Sequence, residues 1–247
     1  MKRIRTPHVI RSPKIPERLL LAVASDLHSG EYEDVMADFA RCDAILLPGD
    51  LVDRHRGDNR KAERFLAEAP KVAPVFYAVG NHERKFRDRE AWMRRVRDSG
   101  VTLLDDESCL FRGIRIGGLS SRQDRTPNLA FLDRFEREQG FRLLMCHHPE
   151  IWRDFVRGRD IDFTVCGHAH GGQIQIRGRG LYAPGQGLFP RLTHGLHDGG
   201  KMMISRGMTN SAQLRIPRFG NPCELILLEL LPETETAFEQ RKGEEKP

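Results

Sequence analysis

A chain of 247 residues with 39% hydrophobic and 30% charged residues is long enough for one large α/β domain or two small ones, and too apolar to stay unfolded. The formal net charge of +5 is dispersed, without a block of five or six like charges. This excludes a polybasic tail and leaves most arginines on solvated faces, with attraction to phosphate-bearing partners as the sharper reading. Cys42, Cys109, Cys146, Cys166 and Cys223 are irregularly spaced and form no CxxC, which argues against a disulfide framework and for a reducing, cytoplasmic setting. The apolar run LLLAVA is too short to span a membrane, and no signal-peptide cleavage pattern follows it. The basic N-terminal segment before it leaves peripheral contact with an anionic membrane surface open.

Residues 19–25 read as a buried strand ending at Asp26. Residues 31–41 have helical spacing, with Val35, Met36 and Phe39 on one side. DAILLPGD is a second buried strand, 59–69 a helix, and APVFYAVGNH a third strand. Residues 88–98 form a helix that Gly100 stops. This β-α-β-α-β-α order predicts a mostly parallel sheet. Then VTLL, SCLF and IRIGGLS read as short strands, 129–138 as a helix, FRLLMCHH as a strand, 150–157 as a short helix and IDFTVCGH as a strand. GQIQI, KMMISRGM and CELILLEL are further strands, with a Gly/Pro-rich stretch at 177–200 between the first two. Short antiparallel strands in the second half predict a second sheet packed on the first. The fold class is α/β: two packed mixed sheets flanked by helices, in one domain over residues 1–232, with a polar and disordered tail at 233–247.

Five polar clusters sit at the C-terminal ends of apolar strands, where loops from separate strands converge. They are Asp26 and His28 in SDLH, Asp50 and Asp53 in GDLVD, Asn81 and His82 in GNHE, His147 and His148 in CHHP, and His168 and His170 in GHAH. Each alone has a structural reading: a Gly-Asp turn, an Asn in a tight turn, a His capping a helix. Together they are a set of carboxylate, imidazole and amide donors without ligand-spaced cysteines. That set suits Mn²⁺, Fe, Zn²⁺, Ni²⁺ or Co²⁺. The donors outnumber the needs of one ion, which points to two, held about 3.5–4 Å apart by a shared carboxylate as in-line phosphoryl displacement requires.

The ordered series D-x-H, GD-x-x-D, GNHE, H-x-P and GHAH resembles the calcineurin-like metallophosphoesterase superfamily, from about residue 19 to 231. GHAHGGQ, LFPR, ISRGM and PRFGNPCELILLEL are similar to its bacterial branch of phosphodiesterases and UDP-diacylglucosamine pyrophosphatases. The resemblance implies a four-layer αββα sandwich. It implies one metal on Asp26, His28, Asp50 and His170, and a second on Asp50, Asn81, His147 and His168. His82 would be the general acid, oriented by Asp53. Arg54 would grip a phosphate oxygen, and His148 and Arg206 would line the substrate pocket. Arg218 is expected to tie down a loop, and His194 and His197 to be surface histidines. The cofactors implied are two divalent ions, Mn²⁺ foremost, and the reaction is hydrolysis of a phosphodiester or pyrophosphate by a metal-bridging hydroxide. A phosphomonoesterase or nuclease on the same site is the alternative, and a non-catalytic metal-binding interaction module a further one. Two Trp and three Tyr give little for stacking bases, so nucleic acid is the lesser partner. Substrate choice is expected to rest on the loops 121–128 and 177–200.

Overall fold

The computed structural model describes residues 3–122, 126–212 and 217–233. One sheet contains β1 (Ile4–Ser12), β2 (Leu19–Val23), β3 (Ala44–Leu47), β4 (Val75–Ala78) and β5 (Thr102–Leu104). The other is built from β6 (Glu107–Phe111), β7 (Ile114–Leu119), β8 (Phe141–Cys146) and β9 (Phe163–Cys166). Two short ladders follow, β10 (Gln175–Ile176) with β11 (Arg179–Gly180) and β12 (Tyr182–Ala183) with β13 (Gly187–Leu188). Then β14 (Gly195–His197) and β15 (Met202–Ile204) complete the second sheet, in the order β14-β15-β9-β8-β7-β6. The last strand, β16 (Glu224–Pro232), returns to the first sheet, whose order is β1-β16-β2-β3-β4-β5. The helices are α1 (Met36–Phe39), α2 (Arg60–Glu68), α3 (Asn81–Arg84), α4 (Arg89–Asp98), α5 (Leu129–Phe135) and α6 (Pro149–Ile151).

The central strands are apolar at consecutive positions because both faces are covered. In β2, Leu19, Leu21 and Val23 point between the sheets, against Phe141, Leu143, Met145, Phe163 and Val165. Its alternate residue Ala22 joins Ile45, Val75 and Tyr77 under Phe39, Phe65 and Trp92, on the helical side. The second sheet does the same with its outer face: Leu144, Cys146 and Cys166 pack on Phe131, Phe135 and Trp152. Three apolar seams therefore separate four layers, helices–sheet–sheet–helices, as the motif pattern led one to expect. At about 25 cal/mol per Å² of apolar area, these seams are the main source of stability.

Four features differ from the sequence reading. The basic N-terminal segment is an edge strand: β1 pairs in parallel with β16, and Pro7 is tolerated because an edge leaves one side of the strand without ladder bonds. Two of its charges are matched internally, Arg3 and Arg5 both pairing with Asp34 and Arg5 also with Asp38. The second sheet is parallel at its centre, β7–β8–β9–β15, and antiparallel only at its two edges, because α5 and α6 act as crossovers. The helix expected over 31–41 is a 3₁₀ turn, Glu33–Val35, running into the single turn α1. The helix expected at 150–157 is α6 followed by a wider π turn, Trp152–Val156. Residues 234–247, most of the expected tail, lie outside the described residues.

Candidate metal centre

The loops after β2, β3, β4, β8 and β9 end at one edge of the sandwich and are stitched to one another by backbone hydrogen bonds. Asp26 N–H donates to Gly49 O at 3.2 Å and His28 N–H to Asp50 O at 3.0 Å, joining the first two loops. His82 N–H donates to Asp50 Oδ1 at 2.8 Å, joining the third. Gly167 N–H donates to His147 O, and His168 N–H reaches Asp26 Oδ2 at 3.1 Å, joining the last two. Asp26, His28, Asp50, His168 and His170 all have left-handed backbone, with φ between 47° and 65°. Such a conformation costs a non-glycine residue about 1–3 kcal/mol, so the concentration of five at one edge marks a place where side-chain direction outweighs local comfort.

The ligand atoms of Asp26, His28 and His170 lie within 4.8 Å of one another, as do those of Asp26, Asp50 and His147, of His28, Asp50 and His82, and of His147, His148 and His168. His28 Nε2 and His170 Nε2 face each other at 3.2 Å, with Asp26 Oδ1 at 3.8 and 3.6 Å. His147 Nδ1 is 2.7 Å from Pro48 O, which fixes a proton on that nitrogen. Its Nε2 then turns towards two oxygens, Asp50 Oδ2 at 3.1 Å and Asn81 Oδ1 at 3.1 Å.

The electrostatics fit cations. Burial pushes His28 down to about 3 and holds His168 and His170 well below the usual imidazole range, so all three offer lone pairs. His168 Nε2 is buried without a hydrogen-bond partner. Burial opposes charge on Asp50, but His147 and His82 beside it outweigh burial and hold its carboxyl well below the usual range. Burial pushes Asp26 up to about 6, against the pull of His147. His147 is itself pushed up to about 10 despite burial, because Asp50 sits against it. A proton there occupies the space between Nε2 and two oxygens, where a divalent ion satisfies all three. The donor set fits two ions, one towards Asp26, His28 and His170, the other towards Asn81, His147 and His168, with Asp50 between.

His82 lies beside this cluster, 5% exposed. Its Nδ1 is 3.3 Å from Asp53 Oδ1 and its Nε2 is 4.0 Å from Asp50 Oδ2. Burial favours the neutral ring, but Asp50 and Asp53 outweigh it and raise the imidazole above its ordinary value. Asp53 is itself fixed by N–H groups of His55 (2.9 Å) and Ala212 (2.6 Å). A cleft of about 330 Å³ opens over the cluster, walled by Arg54, His82, Arg84, Arg122, His148 and Tyr182 among others.

The calcineurin-like phosphoesterase family model matches residues 19–172. The chain belongs to this family. A metallophosphoesterase of Helicobacter pylori (strain ATCC 700392 / 26695) is 24% identical over 90% of this chain and 62% of its own length. Phosphodiesterase YaeI of Escherichia coli (strain K12) is 26% identical over 54% of this chain and 51% of that protein. A Danio rerio transmembrane protein with metallophosphoesterase domain is 26% identical over 65% of this chain and 43% of that protein. The chain thus spans 62% of the Helicobacter relative's length. Among the described residues no helix is long and apolar enough to cross a membrane.

Against this phosphoesterase frame, the structure draws Asp26, His28, Asp50, Asn81, His147, His168 and His170 together, with His82 and Asp53 alongside. His148 borders the cleft, its ring 4.0 Å from that of His168. Arg54 also lines it, its backbone nitrogen 3.2 Å from His82 Nδ1 and its side-chain Nε donating to His55 Nε2 at 2.9 Å. Arg206 does not line the cleft. Its guanidinium goes to Gln175 Oε1 at 2.7 Å and towards Glu224, so it braces the loop behind His170 and is not placed to reach a substrate. Arg218 ties that loop as expected, to Asn210 Oδ1 (2.5 Å) and Thr209 O (2.8 Å), and also touches His170 Nδ1 at 3.2 Å. His194 and His197 are half-buried, His197 Nε2 bonded to His194 O and His194 Nδ1 to Gln175 Nε2 at 3.0 Å.

Sequence reasoning gave no role to Glu83, the last residue of GNHE. Its buried carboxylate accepts from Gly80 N–H (2.8 Å), Asp50 N–H (2.9 Å) and Val52 N–H (3.1 Å), holding the Asp50 and Asn81 loops in register. Gly80 is equally constrained. A Cβ there would lie 2.8 Å from Glu83 Oε2 and closer still to the Asp50 carboxylate and amide. Gly80→Ala is expected to weaken Mn²⁺ binding about tenfold or more, since a supporting shell matters at that scale, while leaving far-UV circular dichroism unchanged. Isothermal titration with Mn²⁺ checks it; wild-type affinity would show that Asp50 tolerates displacement.

Proposed function

We propose that this chain is a dinuclear metal-dependent phosphoesterase that cleaves a phosphodiester or pyrophosphate bond by direct attack of an activated water. The observation that carries the reading is the convergence of seven N/O donors from five strand-end loops on the two sides of Asp50, with a raised-pKa histidine at the wall of the same cleft. Two divalent ions, Mn²⁺ foremost, would supply a nucleophilic hydroxide at neutral pH and neutralise charge on the phosphoryl oxygens. In this reading Asp26, His28, Asp50 and His170 hold one ion, and Asp50, Asn81, His147 and His168 the other.

The chain's own groups do the rest. Pro48 O keeps the His147 lone pair on Nε2, and Glu83 keeps Asp50 in place. Arg54 orients the phosphoryl group from beside His82 through charge-assisted hydrogen bonds. His82, protonated and oriented by Asp53, gives its proton to the departing oxygen, the role of a positioned general acid. The proposal treats residues 1–232 as one domain. It places the reaction in the cytoplasm, with five cysteines of which none is in a disulfide among the described residues as support. It predicts that metal-stripped protein hydrolyses bis-p-nitrophenyl phosphate only when Mn²⁺ is restored. Absence of turnover with every divalent metal tried, on this ester and on nucleoside diphosphate esters, would remove the hydrolase reading.

A further inference from the structure

The walls of the cleft carry more positive charge than one phosphoryl group needs. Arg54, Arg84, Lys85 and Arg122 all line it, and among the described residues the only carboxylate lining it is Asp50, which belongs to the candidate metal centre. The Arg54 backbone lies beside His82 and its side chain is held by His55, which places it next to the reacting group. Arg84 and Arg122 approach from elsewhere, the end of α3 and the segment after β7.

Both guanidiniums are held by one edge. Arg84 Nε donates to Ser121 O at 2.7 Å, and no acceptor among the described residues takes its other N–H groups. Arg122 donates to Asp106 Oδ2 at 3.0 Å. Asp106 is itself fixed by Ser120 N–H at 2.9 Å and Asn128 Nδ2 at 3.1 Å. Burial and Arg89 lower the Arg84 pKa, Asp105 and Asp106 act to raise it, and Arg122 is near enough to lower it again. Lys85, exposed at the rim, makes no ion pair among the described residues. Arg84 is half-buried and Arg122 is exposed and paired with Asp106, and an anchored guanidinium with a bare edge is a preorganised fork for phosphate or carboxylate.

We propose that Arg84 and Arg122, with Lys85 at the rim, form a second anion subsite that takes a phosphate of the substrate other than the one being hydrolysed. This rests on the hydrolase reading above and narrows it to phosphoesters bearing a further anionic group, such as nucleoside bisphosphates and diphosphate esters. A simple diester of two neutral alcohols would leave the subsite empty.

The first test needs no catalysis. Metal-free protein is titrated calorimetrically with thymidine 3′,5′-bisphosphate and with thymidine 5′-phosphate. The bisphosphate is expected to bind about tenfold to a hundredfold tighter, the range of hydrogen bonds to charged groups. Arg84→Gln and Arg122→Gln should each shrink that ratio towards one, while Arg84→Lys keeps part of it, because charge remains and the fork is lost. Equal affinities in the wild type, or a ratio unmoved by Arg84→Gln, would overturn the subsite. The second test compares kcat/KM for the p-nitrophenyl ester of thymidine 5′-phosphate with and without a 3′-phosphate. A preference carried by KM supports the proposal. Turnover without preference overturns the subsite alone. A binding preference without turnover on either ester supports the subsite and counts against the hydrolase reading.

Discussion

Asp50→Ala is expected to abolish productive metal uptake and, with it, turnover. Asp50 touches every part of the cluster: His147 Nε2 at 3.1 Å, His28 Nε2 at 3.9 Å, His82 Nε2 at 4.0 Å and the His82 amide at 2.8 Å. It also supplies the negative charge that His147 feels most strongly. Removing it leaves five neutral or cationic donors, His28, Asn81, His147, His168 and His170, around a single remaining acid, Asp26. Two divalent charges placed there would repel without a carboxylate between them. The check is independent of activity. A ligand present at about 100 times its dissociation constant stabilises a fold by roughly 2.7 kcal/mol, so wild-type Tm should rise on Mn²⁺ addition. The Asp50→Ala Tm should stay flat, and metal analysis of dialysed protein should show the ions gone. Two equivalents of tightly held Mn²⁺ in the variant would exclude Asp50 as the shared ligand.

His82→Ala should behave in the opposite way, keeping metal and losing rate. The ring contributes to turnover through a proton, and a positioned general acid is worth roughly a hundredfold to ten-thousandfold. The loss should depend on the leaving group. An alkyl phosphodiester, whose departing alkoxide needs the proton, should show the full effect. A p-nitrophenyl ester, whose departing phenolate is stable, should show much less. Equal losses on both would mean that His82 positions substrate and donates no proton. Asp53→Asn should reproduce a smaller version of the same pattern, because it touches the reaction only through the 3.3 Å contact to Nδ1.

The donors were legible because each sits directly after an apolar run, and a buried strand ends where polar residues begin. SDLH after LLLAVA and GHAH after IDFTVC could hardly be placed otherwise. The order of strands in the first sheet was half legible. The β-α-β rhythm gives β2-β3-β4-β5, but nothing local in CELILLEL says that β16 inserts beside β2, since pairing across some 200 residues leaves no periodic trace. IRTPHVIRS reads as a basic segment and not as a strand because an edge strand alternates polar and apolar only weakly, and Pro7 argues against a strand except at an edge. Arg206 was misplaced because SRGM carries no sign of which way its side chain turns; Gln175 and Glu224, distant in sequence, decide that. Glu83 was passed over because its work is done on backbone amides, and no spacing rule shows a carboxylate aimed at N–H groups of residues 30 positions earlier. Arg84 and Arg122 could not be seen as a pair for the same reason.

The place of β16 has a consequence for how the protein is made. β2, which delivers Asp26 and His28, is flanked by β3 on one side and by β16 on the other. Met208 and Thr209, just upstream of β16, donate backbone hydrogen bonds to Ser25 O and Asp26 O. On the ribosome the chain emerges from its N-terminal end, so the Asp26 loop and its β3 neighbour appear early, but the β16 side of β2 stays open until almost everything else has followed. Until then β2 presents an open hydrogen-bonding edge, the kind of surface that invites wrong pairing, and a topology so rich in distant contacts folds slowly. On the proposed site, ion uptake is expected to be a late event: a nascent chain halted before residue 224 would carry all seven proposed donors without the strand and segment that hold the Asp26 loop.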